Sequence, residues 1–287
     1  MWLLTPSPAY DAGTSPSRTP RRGRKASQRC HSLRLIAAIA LIAFAAACAP
    51  APGSPPLVAT VSPPPVNAPA PTSIAADRWR AILVAGDNSS PAFNNGVTAM
   101  RERLVAQGVR DIRVLSAAPS IIANAQLASA SSVRRVVHTP GGEACMAFLT
   151  SHGERAGLFL SVDRTFLPPA APERALTEGC GTLPTVLIVS ACHSGVFADK
   201  ATQRPNRVIL TAAAPDRSSF GCGARDQYTY YDRCLLQQFD SAGTWRDLAL
   251  STRRCVEALE QRMGIRVPSQ PQIFVGAEVG ELRIPGR

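Results

Sequence analysis

The sequence predicts an α/β fold in which a mostly parallel sheet of about six strands is covered by helices on both faces. Short apolar runs rich in valine, isoleucine and leucine recur along the chain, which is the composition of strands buried on both faces. Segments with the apolar spacing of a helix separate several of these runs. Such alternation is typical of parallel sheets, because each strand then needs a crossover connection to reach the next.

Six segments carry the strand pattern, and glycine or polar residues close several of them. They are 80–88 (RAILVAGDN), 111–117 (DIRVLSA), 144–153 (ACMAFLTSHG), 185–191 (TVLIVSA), 206–214 (NRVILTAAA) and 271–279 (PQIFVGAEV). Two shorter apolar stretches, AGLFLSV and TFLPP, predict a small hairpin after the third strand.

Four segments are predicted as helices. In the first, Val97, Met100, Leu104 and Val105 share one face, and Gly108 follows as the C-terminal cap. The predicted helical ranges are 95–107, 120–136, 172–179 and 245–264.

The first 75 residues have a different character from the rest. Basic residues crowd positions 18–34, an unbroken apolar run covers 35–47, and Cys48 follows small residues. This order resembles a bacterial lipoprotein signal, so we expect a signal peptide at 1–47 and a lipid on Cys48, with plain signal cleavage as the alternative. Nine prolines in 49–73 favour an extended tether over 48–75. The folded domain is then 76–287.

These features predict export across the bacterial inner membrane, followed by anchoring through the lipid, with the domain facing the periplasm or the exterior. Seven basic residues and one acidic residue precede Cys48, so only +5 of the net charge of +11 belongs to the remainder. The basic residues there form no run, which argues against a nucleic-acid partner.

Six cysteines follow Cys48. Their spacings fit no zinc pattern and include no CxxC pair, so we expect no metal and no cofactor. An exported protein can keep disulfides, and a bond between Cys222 and Cys234 is one possibility. If Cys192 is a free thiol, five cysteines remain, and at least one more must be unpaired.

Cys192 and His152 stand at the carboxyl ends of two predicted parallel strands, where ligands bind in such sheets. Cys192 could be a core residue, half of a disulfide or a nucleophile. A thiolate is a strong nucleophile, and a nearby imidazole favours its formation. His152 is the better candidate base, because His193 is adjacent in sequence and consecutive side chains diverge. The amides of Gly153 and Cys192 are candidate oxyanion donors.

At this point the sequence resembles a known family. FLTSHG and VLIVSACHSG are similar to the His-Gly and Ala-Cys motifs of caspase-like cysteine peptidases, and closest to the legumain family, peptidase family C13. ILVAGDN, LTAAAPDRSSFGC and YTYYDR resemble further segments of that family. The resemblance implies a three-layer αβα sandwich and a Cys-His dyad. It also implies a place for Asn88 beside the histidine, as a possible third catalytic residue.

For the pocket that holds the residue before the scissile bond (P1), the resemblance implies four lining residues: Ser190, Ser218, Ser219 and Asp232. Legumains carry an acid at the position of Ser190, so this chain departs from the pattern there. The expected function is a cysteine endopeptidase acting on protein or peptide substrates, with asparagine favoured at P1. The alternatives are a transpeptidase using the same site and a non-catalytic scaffold lipoprotein that keeps the fold.

Overall fold

Seven strands form the main sheet in the computed structural model, which describes residues 73–138 and 141–287. Three more strands form a small separate sheet. The strands are β1 (Trp79–Ala85), β2 (Asp111–Ser116), β3 (Gln126–Leu127), β4 (Ala144–Thr150), β5 (Gly153–Glu154), β6 (Gly157–Leu160), β7 (Thr165–Leu167), β8 (Thr185–Ser190), β9 (Arg207–Thr211) and β10 (Gln272–Val275). The predicted leader, almost all of the tether and Cys48 lie outside the described residues.

The order of the main sheet is β10-β9-β8-β4-β1-β2-β3, and only β10 runs antiparallel to its neighbour. Every residue of β1, β4 and β8 is buried, as their continuous apolar runs predict. The chain first moves from β1 outward to β2 and β3, then returns to β4 on the other side of β1. The sheet therefore has a topological switch point between β1 and β4, where open α/β sheets place ligands.

Five helices cover the two faces of the sheet: α1 (Pro91–Ala106), α2 (Ala130–His138), α3 (Ala170–Cys180), α4 (Tyr230–Phe239) and α5 (Trp245–Arg262). α1, α4 and α5 pack on one face in a single apolar cluster. α2, α3 and the small sheet of β5, β6 and β7 pack on the other face. The predicted three-layer α/β architecture is confirmed.

The polar residues at the helix starts explain where two of these helices begin. Ser90 caps α1 by accepting a hydrogen bond from the amide of Ala92 at 3.3 Å, with Pro91 in the first turn. Thr244 and Asp247 form a reciprocal capping box at the start of α5.

Within residues 73–138 and 141–287, no helix is both long enough and apolar enough to cross a membrane.

Several details of the prediction need correction. The main sheet has seven strands instead of about six, because β3 lies inside the range 120–136 that was predicted as helix. In that range only the part from Ala130 onward is helical, and Pro119–Ile121 forms a short 3-10 turn. The helix α4 was not predicted, and the last strand is shorter than predicted, ending at Val275. Val105 was predicted on the apolar face of the first helix, but its side chain is exposed.

Candidate active site

Three loops meet at the carboxyl edge of the sheet beside the switch point. They follow β1, β4 and β8, and they carry Asp87, His152 and Cys192. The register sets Ala85 beside Thr150 and Thr150 beside Ser190, so the three strands end at nearly the same level. Neighbouring parallel strands therefore deliver the side chains of the three loops to one edge.

His152 is held from the β1 loop. Its Nε2 lies 3.2 Å from the hydroxyl oxygen of Ser89 and 3.6 Å from Oδ2 of Asp87, and Ser89 donates a hydrogen bond to Asp87. The ring of Phe93 meets the imidazole edge-on, with centroids 5.1 Å apart. The His152 side chain remains 38% exposed, whereas that of Asp87 is only 5% exposed. The imidazole is thus oriented on a protected support and still open to a ligand.

Asp87 is a buried carboxylate in this arrangement. Burial alone would raise its pKa, but hydrogen bonds from the Ser89 hydroxyl, the Asn88 amide and Ser161 hold the pKa of Asp87 below its ordinary value. The carboxylate is therefore negatively charged at neutral pH.

Asn88 was predicted beside His152, but its neighbours Asp87 and Ser89 make the contacts with the imidazole. Its side chain is exposed and makes no hydrogen bond within the described part of the chain. Only its backbone amide takes part, by donating to Oδ1 of Asp87 at 2.8 Å. Asp87 and Ser89 instead make the contacts with His152. Sequence inspection missed both, although a polar triplet directly after a buried strand and a glycine was the available signal.

Cys192 is a free thiol at the end of β8. The amide of Ser219 donates to its sulfur at 3.3 Å, and the sulfur lies 3.5 Å from the carbonyl oxygen of the same residue. The sulfur therefore faces both an N–H donor and a carbonyl acceptor of Ser219. The thiol is partly exposed, as a nucleophile must be.

Cys192 and His152 lie in the loops that follow adjacent strands, and they share no hydrogen bond. The Ser151 amide donates to the carbonyl of Ser190 at 3.1 Å, which locks the two strand ends together. At Gly153 a Cβ atom would lie only 2.5 Å from the carbonyl oxygen of Cys192, so the two loops touch and only glycine fits. The Nδ1 atom of His152 makes no hydrogen bond to any described residue, which leaves it available to a substrate or thiol.

The two predicted oxyanion donors have amides that the fold leaves unused. The Phe159 amide donates to the carbonyl of His152 at 2.9 Å, so the next pair, Gly153 and Leu158, is a non-hydrogen-bonded pair of the antiparallel ladder. The Gly153 amide therefore points away from β6. Among the described residues, nothing accepts a hydrogen bond from the Cys192 amide. Both N–H groups are free to bind an oxyanion.

His193 is turned away from the thiol. Its backbone has a φ of 57°, its amide donates to Arg217, and its Nδ1 lies 3.0 Å from the carbonyl oxygen of Pro215. This agrees with the argument that consecutive side chains diverge. The tight turn after it also needs Gly195, where a Cβ would lie 2.5 Å from the ring of Pro215.

Two of the predicted pocket residues, Ser190 and Asp232, lie together in a buried polar cluster below the edge. Thr150 donates to Oδ2 of Asp232 at 2.8 Å, and the hydroxyl of Thr229 lies 3.3 Å from that of Ser190. Thr229 also caps α4 by accepting from the amide of Asp232. The other carboxylate oxygen, Oδ1, is buried with no partner in the described structure. The cluster therefore holds one unsatisfied acceptor, and its member Ser190 is the last residue of β8 and precedes Cys192 by two residues.

The environment of Asp232 changes its acidity. Complete burial raises its pKa to about 6, although the hydroxyls of Ser190, Thr150 and Thr229 act in the opposite direction.

The other two predicted pocket residues differ from each other. Ser219 contacts the Cys192 sulfur, whereas Ser218 is exposed, and the structure assigns its side chain no hydrogen bond in the described range.

Disulfides join Cys145 to Cys180 and Cys234 to Cys255. The suggested Cys222–Cys234 bond is wrong, because Cys234 on α4 faces Cys255 on α5. Cys222 stays free together with Cys192, which matches the expectation of a second unpaired cysteine. In the described ranges, no group of three or more His, Cys, Asp or Glu side chains is placed to hold a metal ion.

Comparison with known proteins agrees with this geometry. Residues 120–254 match the sequence model of the Peptidase C13 family, a range that contains both His152 and Cys192. Among solved structures, the crystal structure of Caspase-1 from Spodoptera frugiperda superimposes with a TM-score of 0.52 at 16% identity, covering 75% of this chain and 94% of the other. At that identity the likeness shows a shared fold. No curated protein matches the sequence significantly.

Proposed function

Because this chain belongs to the caspase-like peptidases of the legumain family, Peptidase C13, we propose that it cleaves peptide bonds with Cys192 as nucleophile and His152 as general base. One observation carries the proposal. Four of the six described cysteines are joined in disulfides, yet Cys192 remains a partly exposed thiol at the strand end beside His152. A scaffold protein has no chemical need for that arrangement.

The support for His152 indicates the role of each ring nitrogen. With Nε2 turned to Ser89 and Asp87, the proton of the neutral ring belongs on Nε2, and the Nδ1 lone pair can accept the thiol proton. The buried Asp87 carboxylate then stabilises the imidazolium that forms. This division of roles is that of an orienting acid, a base and a nucleophile.

The reaction follows from these roles. Nδ1 takes the thiol proton, the Cys192 sulfur bonds to the substrate carbonyl carbon, and the carbonyl oxygen becomes an anion. The Gly153 and Cys192 amides stabilise that anion. The C–N bond then breaks as the imidazolium gives its proton to the departing amine, which leaves a thioester on the sulfur. Water attacks the thioester while Nδ1 takes one of its protons, and the proton returns to the sulfur as the acid product leaves.

We propose asparagine as the favoured P1 residue. The resemblance to the legumain family carries this proposal, and the partly exposed Ser219 hydroxyl, 3.9 Å from the Cys192 sulfur, can accept a hydrogen bond from a side-chain amide. A polar group left without its partner costs roughly 1–3 kcal/mol, which corresponds to tenfold or more in cleavage efficiency. Peptides that differ only at P1 test this, with asparagine expected first. Strongest cleavage after arginine or leucine would exclude the amide pocket.

A thiol-reactive active-site probe tests the nucleophile. The native protein should be labelled, and Cys192→Ala should abolish the labelling. Cys222→Ala is the matched control, since Cys222 is the other free cysteine of the described structure, and labelling should persist in that variant. Equal labelling of the native protein and of Cys192→Ala, with no cleavage of any peptide, would favour the scaffold alternative.

We further propose that the protein is exported and held on a membrane through a lipid on Cys48, facing the periplasm or the exterior. The basic segment, the apolar run and the small residues before Cys48 carry this proposal. The two disulfides support it, because such bonds persist in oxidising compartments.

A further inference from the structure

A cleft of about 380 Å³ opens directly against the candidate catalytic base. His152, Gly153 and Glu154 line it from the loop after β4, and Phe159 and Phe166 line it from the β6–β7 hairpin. Neither Cys192 nor its contact Ser219 is among the lining residues. The cleft therefore adjoins the base and lies apart from the nucleophile and the Asp232 cluster.

The two phenylalanines form the apolar wall of this cleft. They face each other across β6 and β7, with ring centroids 5.5 Å apart. The leucines on either side of Phe159, Leu158 and Leu160, are fully buried, so alternation along β6 turns the Phe159 ring to the outer face. Both rings remain partly exposed. An aromatic pair on the open face of a hairpin, beside a candidate catalytic histidine, forms a surface suited to an apolar ligand.

The position of this wall is fixed relative to the imidazole. The Phe159 amide donates to the carbonyl of His152 at 2.9 Å, and the Phe159 carbonyl accepts from the Ser151 hydroxyl at 2.7 Å. These bonds use backbone atoms of Phe159, so a substitution of its side chain keeps them. The hairpin and the histidine loop form one unit, which makes the cleft a preformed site.

The chemistry of the proposed reaction decides which part of a substrate reaches this cleft. The departing amine takes its proton from His152, so its nitrogen must lie against the imidazole at the moment of cleavage. The acyl part stays on the Cys192 sulfur. The first residue after the scissile bond, P1′, is attached to that nitrogen and extends from it on the side of the base.

We infer that this cleft is the P1′ subsite and that it selects a large apolar or aromatic residue. The inference rests on the proposed peptidase function and names a preference on the leaving side of the same site. The phenylalanine wall provides the apolar contact, and the exposed carboxylate of Glu154 at the cleft disfavours an acidic side chain. A change of one methylene in an apolar pocket alters cleavage efficiency about 10–200-fold. Phenylalanine or leucine at P1′ should therefore exceed glycine by at least about tenfold.

The test is a set of peptides that share one acyl part and differ only at P1′, compared by kcat/KM. All of them give the same thioester, so the preference should appear in its formation and not in its hydrolysis. Phe159→Ala and Phe166→Ala should reduce the preference to within about threefold. Phe274→Ala is the control, because Phe274 is a partly exposed phenylalanine on β10 and lines a different cleft. This control should keep the full preference.

The same cleft should also select amines that intercept the thioester. With added phenylalanine amide or glycine amide, the transfer product should form preferentially with phenylalanine amide, and Phe159→Ala should remove that preference.

Active enzyme with an equal or reversed P1′ preference would overturn the inference and leave the peptidase function standing. If the native protein is neither labelled at Cys192 nor able to cleave any peptide, the peptidase function is refuted, and the inference with it.

Discussion

Replacing Asp232 by asparagine should change how the stability of the protein depends on pH. The folded protein holds this carboxyl with a pKa of about 6, whereas an unfolded chain holds it near 4. Between these two values the folded state binds a proton that the unfolded state has released. The free energy of unfolding must therefore fall as the pH rises from about 4 to about 6, and the full cost is present above that range.

The magnitude follows from the size of the shift. A difference of about two pKa units, at 1.36 kcal/mol per unit, corresponds to roughly 3 kcal/mol of lost stability at neutral pH. Asparagine has the same shape and carries no charge at any pH. Relative to the native protein, Asp232→Asn should therefore gain about 3 kcal/mol in free energy of unfolding between pH 4 and pH 7.5.

Denaturant unfolding at a series of pH values measures this difference, provided that unfolding is reversible and the disulfides stay intact. Thr150→Val provides a matched control. It keeps the carboxyl but removes the hydroxyl that donates to Oδ2 at 2.8 Å. Because that hydrogen bond lowers the pKa of Asp232 in the folded protein, its loss should raise this pKa and extend the pH window upward. A difference between Asp232→Asn and the native protein that stays constant from pH 4 to pH 8 would refute the reasoning.

Three further predictions concern the base, a disulfide and the leader. His152→Ala should lower turnover by about 10²–10⁴-fold and leave the fold intact, whereas His193→Ala should cost less than tenfold; steady-state kinetics with circular dichroism checks both, and equal losses would reject the assignment of the base. Replacing Cys234 and Cys255 together should lower the free energy of unfolding by about 3 kcal/mol, because their bond closes a loop with a sequence separation of 21; an unchanged denaturation midpoint would contradict this. Cys48→Ser should move the protein from the membrane to the soluble fraction, and retention in the membrane would rule out the lipid anchor.

The strands could be predicted from the sequence because a strand that is buried on both faces consists mostly of apolar residues. Continuous apolar runs marked β1, β4 and β8, and the ends of β4 and β8 brought attention to His152 and Cys192. The helix α4 was missed because its buried face includes Asp232, which interrupts the apolar pattern. The two-residue strand β3 forms only through its pairing with Leu115 and Ser116, a contact that no local pattern records.

The support of the histidine shows a different limit. Asp87 and Asn88 are neighbours at a strand end, and the sequence alone does not tell which side chain turns inward. In the structure Asp87 is buried and accepts a hydrogen bond from Ser89, whereas Asn88 is exposed. Likewise, the cleft beside His152 depends on the outward direction of two phenylalanines in a hairpin, which alternation predicts only once the register of β6 and β7 is known.

The bond between Cys145 and Cys180 has a consequence for redesign of the protein. It closes a covalent ring with a sequence separation of 35, and this ring contains His152 and the whole β6–β7 hairpin but not Cys192. Residues can therefore be inserted at the hairpin tip after Ser161, which supports Asp87, while the disulfide holds the two ends of the segment together, because loop length adds little entropic cost. A library built on this segment would vary recognition of the departing fragment without altering the strand that carries the nucleophile. The segment between Cys145 and Cys180 can thus be varied while the strand and loop that carry Cys192 stay unchanged.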